Sequence, residues 1–275
     1  MIKDILTEEA LPARTPRYQY EGVEQCLRCY ELESEHHFSN GQSSDYSYVI
    51  FDHVDDHSFQ KCFGDDSERS LLSHSLDTYN FISHTLVLKM ITDIHEAAHR
   101  AFCDIFLTWY RNQQSRLLPT GGASVRGLTR EKAPDSSWKT TIHLPGRDKK
   151  WPTVVVEVAW SEAMTKLKQD VLFWLRESEG QVMVVLTIKV TRRGSITIQH
   201  WGLEAAGGNS VKPSQTIHIT RNRNPISNQH QVSGSMHIQF EDCFLRERRG
   251  DESDFVLSDD LMVEIAEIVW AHLPE

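Results

Sequence analysis

The chain has 275 residues, 39% hydrophobic and 25% charged, which is enough apolar material for one large domain or a core domain with an elaborated end. No run approaches the roughly 20 apolar residues that span a bilayer, and MIKDILTEEA lacks the features of a secretion signal; with five cysteines, an odd number that disfavours a disulfide scaffold, the expectation is an intracellular protein, cytoplasmic or nuclear, with no membrane role. The formal charge of -10 would disfavour nucleic acid, but residues 1–80 hold 16 acidic and 6 basic residues and the remainder is balanced at 23 and 23, so charge excludes no partner for the second part.

Residues 1–80 read as an acidic N-terminal extension or integrated subdomain with short elements. YSYVIFDHV (46–54) suits a strand, and HSFQKCF and SERSLLSHSL suit short helical turns. C-L-R-C at 26–29, followed by His36 and His37, has a spacing that zinc could use, although one cysteine pair is a weak pattern.

From Ser83, SHTLVLKMITDIHEAAHRAFCDIFLTWYRNQ supports a long helix, broken near Thr92 and Asp93, with Ile94, Ala98, Ala101, Ile105 and Trp109 along one core-facing stripe. PTGG at 119–122 turns the chain. Short segments follow over 123–145, then the strand TVVVEVAW, a helix from Ser161 to Glu177 and the strand QVMVVLTIKV at 181–190. SITIQHW, TIHITR and SMHIQF alternate like sheet-edge strands. A last helix falls within SDDLMVEIAEIVWAHL, capped by Ser258 or Asp259, with Leu261, Ile265, Ile268 and Val269 as its apolar face. The pattern is an α/β or α+β core around a mixed sheet.

Within TVVVEVAW, Glu157 is a carboxylate among valines, costly to bury without a proton, a partner or a metal. KAPDSSW places Asp135 at the start of an extended segment, and LPGRDKK at 144–150 can turn the chain back, so the two acids can meet at adjacent strand ends. A divalent cation would relieve their repulsion; oxygen ligands suit magnesium or manganese, and the carbonyl of Val158 could add a third donor. Glu96, on the preceding helix, could join them and position water for phosphodiester cleavage. H-E-A-A-H at 95–99 also fits HExxH, in which His95 and His99 hold zinc and Glu96 acts as a protease base, but no HxxGxxH continuation follows. Cys103, one turn after His99, reads as a buried small residue in preference to a nucleophile. Basic runs at KVTRR (189–193), RNR (221–223) and RERR (246–249) are solvated strand ends or phosphate contacts.

K-A-P-D-S-S-W (132–138), W-P-T-V-V-V-E-V (151–158), S-E (161–162), L-K-Q-D-V-L-F-W-L (167–175) and V-M-V-V-L-T-I-K-V (182–190) together resemble the restriction-endonuclease-like PD-(D/E)XK superfamily, particularly a fungal branch of it. The likeness covers roughly residues 81–275. It implies a central mixed sheet flanked by helices, with Asp135 and Glu157 as the metal-binding pair on a hairpin-like motif and Glu96 as an auxiliary acid. It departs from the family at the E-x-K lysine, which orients water and stabilises phosphate charge: the position is Ala159, on the same side of the strand as Glu157. A substitute would come from Lys132, Lys166, Lys168 or Lys189, with Lys168 and Lys189 favoured. The functional expectation is metal-dependent phosphodiester hydrolysis on DNA or RNA. The alternative is a catalytically inactive nuclease-like domain that binds a protein partner.

Overall fold

A computed structural model describes residues 4–39, 47–63, 72, 74–142, 144–160, 163–203, 211–222 and 230–273. In chain order it runs α1 (Ile5–Glu8), β1 (Arg17–Gln19), α2 (Val23–Ser39), β2 (Tyr48–Asp52), α3 (Asp56–Phe63), β3 (Leu76–Asn80), β4 (Thr85–Lys89) and α4 (Asp93–Arg111). Four short or moderate strands follow, β5 (Leu117–Pro119), β6 (Val125–Arg126), β7 (Arg130–Lys132) and β8 (Ser136–Thr140), and then β9 (Val154–Trp160), α5 (Met164–Glu177) and β10 (Val184–Val190). The chain continues through β11 (Ile196–Leu203), β12 (Val211–Thr220), β13 (Gln231–Ser233), β14 (Met236–Ile238), α6 (Phe240–Phe244), β15 (Phe255–Leu257) and α7 (Asp259–Ala271). The architecture is mixed α/β, with sheets flanked by helices. Among the described residues no helix is long and apolar enough to cross a membrane.

The chain divides into two compact units, residues 1–91 with 124–133, and residues 92–123 with 134–275. The boundary expected at 80/81 therefore falls at 91/92, and a later segment returns to the first unit as β6 and β7. The strands of that unit form a six-stranded sheet in the order β1-β2-β4-β3-β7-β6, with β1 and β2 parallel. Period-two alternation sorts β2 between two apolar clusters, Val49 and Phe51 entering one, Tyr48 and Ile50 the other. β4 pairs with β2 on one side and β3 on the other and is buried along its length. Thr85–Lys89, expected as the start of a long helix, is thus a central strand; a five-residue apolar run has no periodicity that separates the two structures.

The second unit is built on a seven-stranded sheet, β13-β12-β11-β10-β9-β8-β5. β9 and β10 are parallel, with α5 as their crossover, while the other neighbours are antiparallel. Val154, Val156, Val158 and Trp160 of β9 and Val184, Leu186, Ile188 and Val190 of β10 point to the face covered by α4 and α7, where Ile94, Ala98, Ala101, Ile105, Ile265 and Val269 complete the core. The opposite face of the same strands packs on α5. α4 begins where Thr92 caps it, its Oγ1 accepting the His95 N–H at 3.2 Å. Trp109 lies at the edge of this core and its indole N–H reaches the Ser253 carbonyl at 3.1 Å. α7 starts at the Ser258 cap, but its buried face is Met262, Ile265, Ala266, Val269 and Trp270, and Ile268, expected inside, is exposed.

Candidate functional site

Asp135 and Glu157 approach through strand register. β8 pairs with β9 from Ser136↔Val156 to Trp138↔Val154, so continuing the antiparallel ladder by one residue sets Asp135 opposite Glu157. The start of β8 is pinned from the PTGG turn: Ser137 Oγ donates to the Gly121 carbonyl at 2.9 Å and shares a 2.7 Å hydrogen bond with Thr120 Oγ1. A Cβ on Gly122 would come within 3.2 Å of the Pro134 carbonyl, so this close approach next to Asp135 favours glycine. Asp135 Oδ2 accepts the Val158 N–H at 2.6 Å. Within a strand the N–H and C=O of one residue point to the same edge, so the Val158 carbonyl is also directed to the Asp135 side.

Glu157 is only 4% exposed, and its Oε1 accepts the indole N–H of Trp174 on α5 at 2.5 Å. Its registered neighbour on β10 is Thr187, whose Oγ1 accepts the Trp201 indole N–H at 2.9 Å. The polar groups of this buried strip are therefore held by tryptophans that contribute both packing and a donor.

The first turns of α4 add two histidines at the other end of the pair. His95, 3% exposed, sets Nε2 at 3.2 Å from Asp135 Oδ2. His99 Nε2 lies 3.0 Å from Ser136 Oγ, and its Nδ1 is 3.8 Å from Glu96 Oε2. Glu96 also accepts from Arg100 Nε at 2.5 Å. The HEAAH side chains thus address residues 135 and 136, and among the described residues of this unit no three His, Cys, Asp or Glu ligand atoms lie within 4.8 Å of one another. The zinc reading therefore lacks its third ligand there. His95 was read from sequence only through that motif; its place beside Asp135 follows from the packing of α4 on the sheet. Cys103 is an unsuitable nucleophile, since burial pushes its thiol up to about 12 against an opposing hydrogen bond from Ser136.

The lysines separate sharply. Lys189 is registered beside Ala159 across the parallel β9/β10 pair and is half-buried, on the sheet face that also carries Glu157. Lys168 is exposed on α5. Lys166 is buried with its Nζ 2.6 Å from Asp170 Oδ1, and Lys132, in the first unit, is buried with its Nζ 3.1 Å from Asp77 Oδ1. Ser161 and Glu162, along with Arg223 of the RNR run, lie outside the described residues.

In the first unit, Cys26, Cys29, His36 and His37 all sit on the single helix α2. Cys29 and His36 are seven positions apart, about 10 Å along the axis, so the four cannot converge on one tetrahedral ion. Burial raises both thiols, Cys26 to about 12.

No model of a known protein family matches the chain, and no curated protein is significantly similar to it. Among solved structures, one match is the crystal structure of a provisionally assigned nuclease belonging to DUF820 from Anabaena variabilis. It is 11% identical, with 50% of this chain and 76% of that chain covered at a TM-score of 0.34. A likeness at that level identifies neither a fold family nor an activity.

Proposed function

We propose that the second unit performs metal-dependent phosphodiester hydrolysis on a nucleic acid, in the manner of the PD-(D/E)XK superfamily. The observation that carries this reading is the cross-strand placement of Asp135 and Glu157, with Asp135 tied to the Val158 N–H and Glu157 to Trp174. Two carboxylates and one backbone carbonyl would make an all-oxygen donor set, the kind that fits magnesium or manganese. When bound, such an ion would supply charge neutralisation at the scissile phosphate and a more acidic water.

The chain's own residues then have distinct tasks. Asp135 and Glu157 hold the cation, and the Val158 N–H and the Trp174 indole fix one oxygen of each carboxylate so that the pair is oriented before binding. His95 packs against Asp135 and restricts its rotation. Lys189, registered beside the alanine that stands where the family has lysine, reaches over Ala159 to orient water and stabilise phosphate charge; strands lie about 4.8 Å apart, within the span of a lysine stem. Lys168 is the weaker candidate because it faces away from the sheet. Glu96 acts at one remove, through His99 and Ser136.

The test is cleavage of single-stranded and duplex DNA and RNA with magnesium or manganese by the wild type, Asp135→Asn and Glu157→Gln, each shown to be folded by circular dichroism. Cleavage that requires metal and is lost in both variants is expected. A folded wild type that binds neither metal nor cleaves any of these substrates would replace this reading by the inactive protein-interaction domain.

A further inference from the structure

A second feature of the same sheet face lies at its outer edge, where β5, β8 and the following loop enclose a cavity of about 200 Å³. Its walls combine apolar side chains, Leu118, Leu144 and Trp151, with the cations of Lys139, Arg147 and Lys149. Leu118 and Leu144 are exposed, 51% and 41%. The nearby carboxylate, Asp148, is 3.6 Å from Lys150 Nζ. Arg147 donates through Nη2 to the carbonyls of Trp151 and Pro152, at 3.4 and 3.1 Å, and so is held in place by neutral acceptors that leave its charge uncompensated. Burial lowers the pKa of both Lys139 and Arg147, with Asp148 only partly opposing this for Lys139. Among the described residues no carboxylate is hydrogen-bonded to half-buried Arg147, and Asp148 offsets the burial of Lys139 only in part, so a phosphate would add compensating negative charge.

The position relates this cavity to the acidic pair. Lys139 lies four residues beyond Asp135 along the chain, about 13 Å of extended backbone. Trp151 touches Trp174 edge-on, with ring centroids 6.4 Å apart, and Trp174 is the donor to Glu157.

We infer that this cavity is a subsite for one nucleotide of a nucleic-acid strand, its phosphate held by Lys139, Arg147 and Lys149 and its base laid on Leu118 and Leu144. The volume of about 200 Å³, below the roughly 300–1,000 Å³ of sites for drug-sized ligands, takes the phosphoryl group, and the base lies at the mouth on the exposed sides of Leu118 and Leu144. This rests on the hydrolysis reading, for which it provides a flanking contact two or so nucleotides from the metal pair.

Binding is measured by fluorescence anisotropy of a labelled 12-nucleotide single strand on the full chain in EDTA, over a series of salt concentrations, separately from cleavage in manganese. Lys139→Gln/Arg147→Gln is expected to weaken binding roughly tenfold or more and to make the salt dependence shallower by about 1.4 in log–log slope, some 0.7 for each lost phosphate contact. Lys149→Gln, an exposed change that leaves packing intact, is expected to remove about 0.7. Wild-type affinity and slope in these variants, or no oligonucleotide binding by the wild type, would overturn the subsite. So would variants that lose only binding to anionic phospholipid vesicles. Charge-dependent binding by a wild type that never cleaves would sink the hydrolysis reading and keep the subsite, whereas cleavage with unchanged variant binding would do the reverse.

Discussion

Glu157 illustrates how a strand retains a carboxylate at an almost completely buried position. The indole of Trp174 gives it a hydrogen bond inside a packed aromatic contact with Trp151 and Phe173. Trp174→Phe keeps most of the ring packing but removes the donor, and is expected to cost about 1–3 kcal/mol of stability, read from urea denaturation, because a buried carboxylate oxygen loses the indole hydrogen bond. The same variant should bind manganese more weakly by calorimetry, since one oxygen of Glu157 is no longer oriented. The two lysines give a sharper comparison. Lys189→Ala is expected to slow single-turnover cleavage by roughly 10²–10³-fold, the scale for loss of one preorganised charge-stabilising group. Lys168→Ala should stay within a few-fold of wild type; an equal loss in both would remove the argument from register.

At the scale of elements, α4 links folding to the site, because its first turn carries both the cap and the histidine at Asp135. Thr92→Ala removes the acceptor for the His95 N–H and is expected to cost about 1 kcal/mol by chemical denaturation. Manganese affinity should fall with it, as fraying of that turn releases His95 from Asp135. A variant with the full stability loss and unaltered metal affinity would show that His95 does not position the carboxylate. The contrast between α4 and the strand before it is instructive. HEAAHRAFCDIF repeats its apolar residues at helical spacing over several turns, whereas TLVLK is too short to show any period, and only its pairing with β2 and β3 makes it a strand.

For the whole second unit, the clearest link between pH and stability is Glu252. Arg246 grips both of its oxygens, and the backbone N–H groups of Arg249 and Gln114 add to this, so that its carboxyl is held down at about 2 despite burial. The folded value lies below the roughly 4.3 of an unfolded glutamate. Its stabilising contribution is therefore complete above that unfolded value and disappears as pH falls from about 4.3 towards 2. Glu252→Gln is expected to flatten the stability profile in that window, measured as urea midpoints between pH 5 and 2.5; an unchanged profile would assign the acid sensitivity to other carboxylates. This contact joins residues 114 and 252, distant in sequence and unmarked by any motif. By itself the sequence determined the elements that carry long periodicity or a cap, namely α4, α7 and the valine strands; it singled out Glu157 because a strand interior is a poor place for a charge, and Asp135 because it opens an extended segment that a turn can bring beside Glu157. Tertiary structure alone decided that residues 124–133 return to the first sheet, that His95 faces Asp135, and that Lys189 stands beside Ala159. Those facts depend on which strands pair and in what register, and β pairing joins residues far apart along the chain, where local composition and spacing carry no information.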